Sequence, residues 1–201
     1  MDSHSEVPAE HRGRPRSETA RRAILSSAYS ELRRVGFRQL TIEAIAQHAR
    51  VGKSTVYRWW PNKARLLFDA VNSLQDSSYP DFGETGRTKD EILIEARGVI
   101  EYFRSEAGSA FLDLVAESRF DPPLATSLTD EFVNSRREAT RAVLTRGLEQ
   151  GQVTTRNLDP DVLMDMVWGA IYYRFLVLHD TPEPEFADQL VNQIWPLVQE
   201  G

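Results

Sequence analysis

The 201-residue chain has no cysteine, which excludes a disulfide framework, a zinc-cysteine site and thiol chemistry and leaves packing alone to hold the fold. It also lacks a long apolar run. The longest, Met166 to Leu178, is interrupted by Arg174 and falls short of the roughly 20 residues that a membrane span needs. The first residues, with Asp2, Glu6, Arg12, Arg14 and Arg16, have no apolar stretch behind them, so no secretory signal is expected and the chain is expected in the cytoplasm. No internal repeat is present, and no strand-like alternation between turn signals, which points to an all-α protein. The motifs HExxH, GxSxG and GxGxxG are missing, and His4, His11, His48 and His179 are scattered. No metal, cofactor or catalytic residue is therefore expected. Gly52-Lys53-Ser54-Thr55 looks like the end of a phosphate-binding loop, but Gln47 stands where that loop needs its first glycine, and no strand precedes it.

What is present is a strong asymmetry of charge. Residues 1–65 hold 13 Lys and Arg against 6 Asp and Glu, a net +7, while residues 66–201 hold 11 against 24, a net −13. A basic nucleic-acid-binding module joined to an acidic body has this signature, although a solvated charged face on an ordinary helical domain would share it.

Residues 1–16, with Pro8, Gly13 and Pro15, read as a disordered basic arm ending in Arg12, Arg14 and Arg16. Ser17 is positioned to cap a helix through Val35 on the apolar spacing Ala20, Ile24, Ala28, Leu32, with Gly36 as its stop in a left-handed conformation. Thr41 caps a second helix to about Ala49, and a third covers Lys53 to Trp60. Pro61 opens a fourth, to about Ser77, and the breaker-rich stretch 77–87 is a loop. Beyond it, Thr88 and Glu91 form a capping box for a helix to about Glu106, and a shorter helix covers Gly108 to Arg119. Asp121-Pro122 and Asp159-Pro160 start two longer helices, the first closed by Gly151 and the second ending at His179. The last runs from Pro184 to Glu200, about nine helices in total.

Two short helices joined by a tight turn, with Ala46 at their crossing and Ile45, Val51 and Val56 knitting them, have helix-turn-helix spacing. The second helix would present Lys53, Ser54, Thr55 and Tyr57 to the major groove of double-stranded DNA, with Val56 facing inward. A generic helical hairpin explains the Ala/Val pattern alone, but not its coincidence with the basic segment and the polar first turn.

Over residues 17–70 the sequence resembles the TetR family of bacterial transcriptional regulators. Ala20, Ile24, Leu25, Ala28, Gly36-Phe37, Thr41-Ile42, Ile45-Ala46, Val51, Thr55-Val56-Tyr57, Trp60 and Asn62-Lys63 carry the likeness. The resemblance implies a three-helix DNA-binding domain, 17–62, followed by a larger helical ligand-binding and dimerisation domain, 63–201. It implies base reading by Lys53, Ser54 and Thr55 and phosphate contacts from Thr41, Tyr57 and Lys63, with Trp59 touching backbone or packing. Arg50 and Gly52 depart from the commonest family pattern, as does Ser54. Arg50 stands at the turn position where glycine is usual, so it either contacts phosphate or is simply solvated, and it costs about 1 kcal/mol if its backbone is left-handed.

The helix from Asp159 is apolar nearly all round, so it is expected to pack on two sides, one against its own core and one against something else. The resemblance makes that something a second copy, with Ile171, Phe175, Leu190, Ile194 and Trp195 at the homodimer interface. Aromatic residues in the body, Tyr102, Phe103, Phe111, Phe120, Trp168 and Tyr172, are candidates to line an effector pocket. In a −13 body such a pocket favours an apolar or cationic small molecule, unless the acidity serves only to keep the body off DNA. The expected function is a repressor released from a palindromic operator by that ligand. An adaptor that binds no DNA, or an enzyme with an unrecognised site, is the alternative.

Overall fold

The computed structural model describes residues 14–73, 83–154 and 159–198. All regular structure among these residues is helical. In the N-terminal part α1 (Arg14–Gln39), α2 (Ile42–His48) and α3 (Lys53–Trp59) are followed by α4 (Lys63–Ser73). The body contains α5 (Thr88–Arg104), α6 (Glu106–Ser118), α7 (Pro122–Leu128), α8 (Asn134–Glu149), α9 (Pro160–Leu176) and α10 (Glu185–Ile194). A single π turn, Thr129–Val133, joins α7 to α8, so residues 122–149 form the one long helix expected after Asp121.

Local chemistry sets most boundaries. Thr41 Oγ1 accepts from the Ala44 amide at 3.2 Å, and Asp121 and Asp159 cap α7 and α9 in the same way ahead of their prolines. At Gly36, φ 75° bends α1 before a last helical turn that reaches Gln39. Gly108 lets the α5–α6 corner close, since a Cβ there would lie 1.8 Å from the Tyr102 carbonyl oxygen.

Several boundaries correct the sequence reading. α1 begins at Arg14, so Arg14 and Arg16 belong to its first turn rather than to an arm. α4 starts at Lys63 because Asn62, whose side chain accepts from the Arg65 amide at 2.8 Å, is the cap and Pro61 precedes it. Thr88 and Glu91 do not form a capping box. Thr88 is already helical and buried, and the Glu91 carboxylate instead binds the amides of Thr85 and Gly86 and the Arg146 guanidinium. α6 starts two residues early under a Ser105 cap, α9 ends at Leu176, and α10 gives way to a 3₁₀ turn at Trp195–Leu197 because Pro196 has no amide to continue it.

α4 joins the two parts. It packs on α1 on one side and on α6 and α7 on the other. α5 runs through the centre of the body against α6, α8, α9 and α10.

Candidate nucleic-acid interface and effector cavity

The turn between α2 and α3 has the geometry of a Schellman motif. The Arg50 amide donates to the Gln47 carbonyl at 3.1 Å and the Val51 amide to that of Ala46 at 2.9 Å. Arg50 sits at φ 54°, so the arginine does occupy a left-handed position that glycine would fill without strain. Its side chain is exposed.

α3 is seven residues long, about 10 Å, and an α-helix with its side chains is about 10–12 Å across, which suits a groove about 12 Å wide. Val56 is 0% exposed and anchors α3 to the core with Ile45 and Ala46. Lys53, Ser54 and Tyr57 are exposed, while Thr55 is half-buried and so offers less of itself than the sequence suggested. The Lys53 ammonium pairs with Glu43 of α2 and holds that carboxyl below the usual carboxylate range. Exposed Thr41 lies at the start of α2. Trp59 is partly exposed beside Trp60, with ring centroids 6.3 Å apart, and Trp60 is buried with its indole N–H donating to Asp69 at 2.9 Å.

Lys63 departs from the phosphate-contact reading. Its ammonium donates to the carbonyls of Phe37 at 2.8 Å and Leu40 at 3.4 Å and lies over the Phe37 ring, where burial lowers its pKa. It ties α4 to the end of α1. Arg12 lies outside the described residues, as do the side chains of Arg14 and Arg16.

In the body, Tyr102, Phe103 and Phe111 are core residues, joined by Phe132, Tyr172 and Phe175 in one aromatic cluster. Beside it lies a cavity of about 290 Å³ between α5, the π turn and start of α8, and α9. Trp168 and Tyr172 line it, as expected, together with Phe132, Gly169, Glu95 and Arg136. Burial pushes the Tyr172 phenol above its ordinary pKa, with a smaller push from Tyr102. Phe120 does not belong here: it is 74% exposed at the α6–α7 corner, under the Arg38 guanidinium.

The interface residues also need correction. Ile171 is 0% exposed and Ile194 and Trp195 are buried, so these side chains fill the chain's own core, while Phe175 is half-buried and packs edge-on against Phe103 at 5.4 Å. Leu190 is half-buried. The outward stripe of α9 is instead Val162, Met166, Gly169 and Tyr173, spaced by three and four residues. Arg174 sits at the rim, paired with Asp180 at 2.8 Å and lying over the Phe186 ring.

Two family models match the chain: "Bacterial regulatory proteins, tetR family" over residues 24–70, and "Tetracyclin repressor-like, C-terminal domain" over residues 82–194. The chain belongs to the TetR family. The Bacillus subtilis protein named as the uncharacterized HTH-type transcriptional regulator YdeS is 33% identical to this TetR-family chain over 188 residues, 94% of each protein. A 22% identical relative from Mycobacteroides abscessus, named as the DNA-binding transcriptional repressor TetR, covers 89% of this chain and 93% of its own length. Among solved structures, the TetR family transcription regulator SCO0332 is 28% identical with a TM-score of 0.68, covering 90% of this chain and 99% of that one. This TetR-family protein is accordingly a DNA-binding transcriptional regulator, and its relatives are regulators rather than enzymes.

Two groups escaped the sequence reading. Arg58, exposed on α3, shares a face with Ser54 and Tyr57, and the four-residue spacing from Ser54 was the available signal. Glu95 and Arg136 lie 41 positions apart, and no local pattern brings them together.

Proposed function

We propose that this TetR-family protein is a cytoplasmic homodimeric repressor that reads a near-palindromic operator and leaves it when a small molecule enters the α5–α8–α9 cavity. The observation that carries the reading is α3 itself: a short helix with Val56 locked into the core and Lys53, Ser54, Tyr57 and Arg58 turned outward, on a turn closed by defined hydrogen bonds. Arg50, Thr55 and Trp59 flank that face, and Arg12, Arg14, Arg16 and Thr41 add the basic and capping groups that suit a phosphate backbone. Within this reading, residues up to Trp60 form the reading head, and α5 to α10 form the regulatory and dimerisation body. The name of the Mycobacteroides abscessus relative supports repression.

Dimerisation rests on the outward apolar stripe of α9, whose Tyr173 is 52% exposed and whose neighbours Val177 and Leu178 are exposed as well. A two-fold dimer places two copies of α3 about one DNA turn apart. The test is a mobility-shift titration on the DNA upstream of its own gene, repeated over a salt series. Binding is expected to weaken with a log-log slope near −0.9 per phosphate neutralised, and footprinting is expected to show two related half-sites. A flat salt response or one asymmetric site bound by a single chain rejects the reading.

A further inference from the structure

α5 carries two buried carboxylates one turn apart, Glu91 and Glu95, and α8 answers each with an arginine, Arg146 and Arg136. The first pair is closed off by backbone amides from Thr85 and Gly86. The second faces the cavity. Arg136 donates to Glu95 Oε1 through Nε at 3.2 Å and also through Nη2. Glu95 is 1% exposed and Arg136 is 24% exposed, so the guanidinium is the member of this pair that a molecule in the cavity meets. Carboxylate behind and guanidinium in front is the order of groups that orients a cation toward an incoming anion.

The remaining charges do not reverse this. Arg137, a quarter exposed, is held by Asp161 and Asp165. Asp165 is 68% exposed at the mouth, where water and salt screen it, whereas Arg136 stands among Phe132, Trp168 and Tyr172, where a charge acts at lower dielectric. The two Arg136–Glu95 hydrogen bonds both go to Oε1, so a cation competing for this carboxylate meets a guanidinium already seated on it, whereas an anion meets that guanidinium from its exposed side. The α9 side of the mouth is open, since a Cβ on the exposed Gly169 would meet nothing within 4 Å.

We propose that the cavity between α5, α8 and α9 takes a compact organic anion, an aromatic body carrying one carboxylate, with the rings of Trp168, Tyr172 and Phe132 on the body and Arg136 on the anionic group. The inference deepens the effector reading and rests on it. It reverses the expectation drawn from the acidity of the body, because the charged group that a ligand meets among the rings is the Arg136 guanidinium, in a lining that is neutral overall with Glu95 and Asp165 against Arg136 and Arg137, while the net −13 belongs to the body as a whole. The size agrees, since about 290 Å³ lies at the lower end of small-molecule sites.

The experiment compares three probes of one shape, 2-naphthoate, 2-naphthamide and 2-naphthylmethylamine, by isothermal titration calorimetry against the full chain. The carboxylate is expected to bind about tenfold or more tightly than the amide, and the amine most weakly, in line with a charge-assisted hydrogen bond. In Glu95→Gln/Arg136→Gln, which removes both charges together and leaves no carboxylate buried alone, the naphthoate preference should collapse to about twofold or less while the amide still binds. Phe132→Ala, which removes a ring from the lining and lies outside the α9 stripe, should weaken all three probes about tenfold alike, with light scattering checking that the oligomeric state is unchanged. Best binding by the amine, equal binding of the three, or a preference that survives the double substitution overturns the anion assignment while the cavity stands as a site. Binding of none, or binding that Phe132→Ala leaves unchanged, overturns both the anion assignment and the cavity as a site. Naphthoate binding with the expected preference but without any change in operator affinity upholds the ligand class and rejects the effector reading alone.

Discussion

The reading head and the body solve opposite problems with the same all-helical vocabulary. In the head, charges stay outside an apolar core built on Ile24, Ile45, Val56 and Trp60, and the one buried carboxylate among its described residues, Glu31, is answered by Arg34 and His48 at the surface. In the body, Glu91 and Glu95 sit at the centre against arginines of α8, beside a cavity. A helix that must present fixed groups to a rigid groove benefits from a core with one way to pack. A domain proposed to admit a small molecule keeps charged groups beside its cavity, and these are costly when left alone. The difference is therefore one of where charge is buried, beyond the +7 and −13 totals.

The largest expected effect separates the two faces of α9. Ile171→Asp places a carboxylate at a fully buried position and should leave no cooperatively folded protein, a loss of more than about 5 kcal/mol by urea denaturation. Tyr173→Asp, on the exposed stripe, should give a folded monomer by light scattering that no longer retains the operator. Similar behaviour of the two variants would break the distinction between core and interface.

Next comes the contrast between buried and surface ion pairs. Arg146→Ala leaves the fully buried Glu91 carboxylate with only the Thr85 and Gly86 amides and should cost about 2–3 kcal/mol, whereas Arg34→Ala, which removes a largely exposed guanidinium and leaves Glu31 beside His48, should cost much less. Equal costs in chemical denaturation would remove the idea that the body alone depends on internal charge. Two lysines sharpen the comparison at the DNA. Lys53→Ala should lose about 1–3 kcal/mol on the best operator and relax preference at particular base pairs. Lys63→Ala should lose about 1 kcal/mol of stability instead, because its ammonium binds the carbonyls of Phe37 and Leu40. A purely sequence-independent loss at Lys53, or unchanged stability at Lys63, would exchange their roles.

The smallest effect concerns the turn. Arg50→Gly should raise the stability of the head by up to about 1 kcal/mol in thermal unfolding, since φ 54° costs an arginine what it does not cost a glycine. If operator affinity falls in the same variant, the arginine is kept for a phosphate.

Legibility in the sequence followed the distance over which each interaction acts. Thr41, Asp121, Asp159 and Gly151 signal through their own neighbours, and the structure has each at the boundary that its chemistry predicts, while Gly36 takes its expected left-handed conformation but kinks α1 rather than stopping it, since the helix resumes to Gln39. The left-handed Arg50 was likewise visible as an arginine in a glycine's place. Ile171 misled because an all-round apolar helix does not reveal which side faces inward, and Ile194 and Trp195 misled because the apolar face of the last helix, given to a partner by the resemblance, packs on α5 of the same chain. Phe120 misled because an aromatic residue in a helical region reads as buried until the corner that exposes it is known. Thr88 and Glu91 fit a local motif, but long-range partners, Arg146 and Gln152, took those groups. Glu95 and Arg136 are long-range entirely, and they carry the ligand class.

The π turn at Thr129–Val133 has a further consequence. Glu131 in this turn pairs with Arg65 on α4, while Phe132 and Val133 line the cavity, so adjacent residues touch the two parts of the molecule. A π turn holds one residue more than the helix around it needs, and losing that residue would rotate everything after it by about 100°. One in-frame deletion would therefore turn Arg136 from Glu95, Arg146 from Glu91 and the buried Val143 and Leu144 from the core in a single step, so the extra residue acts as the register pin that seats the whole inner face of α8 on α5.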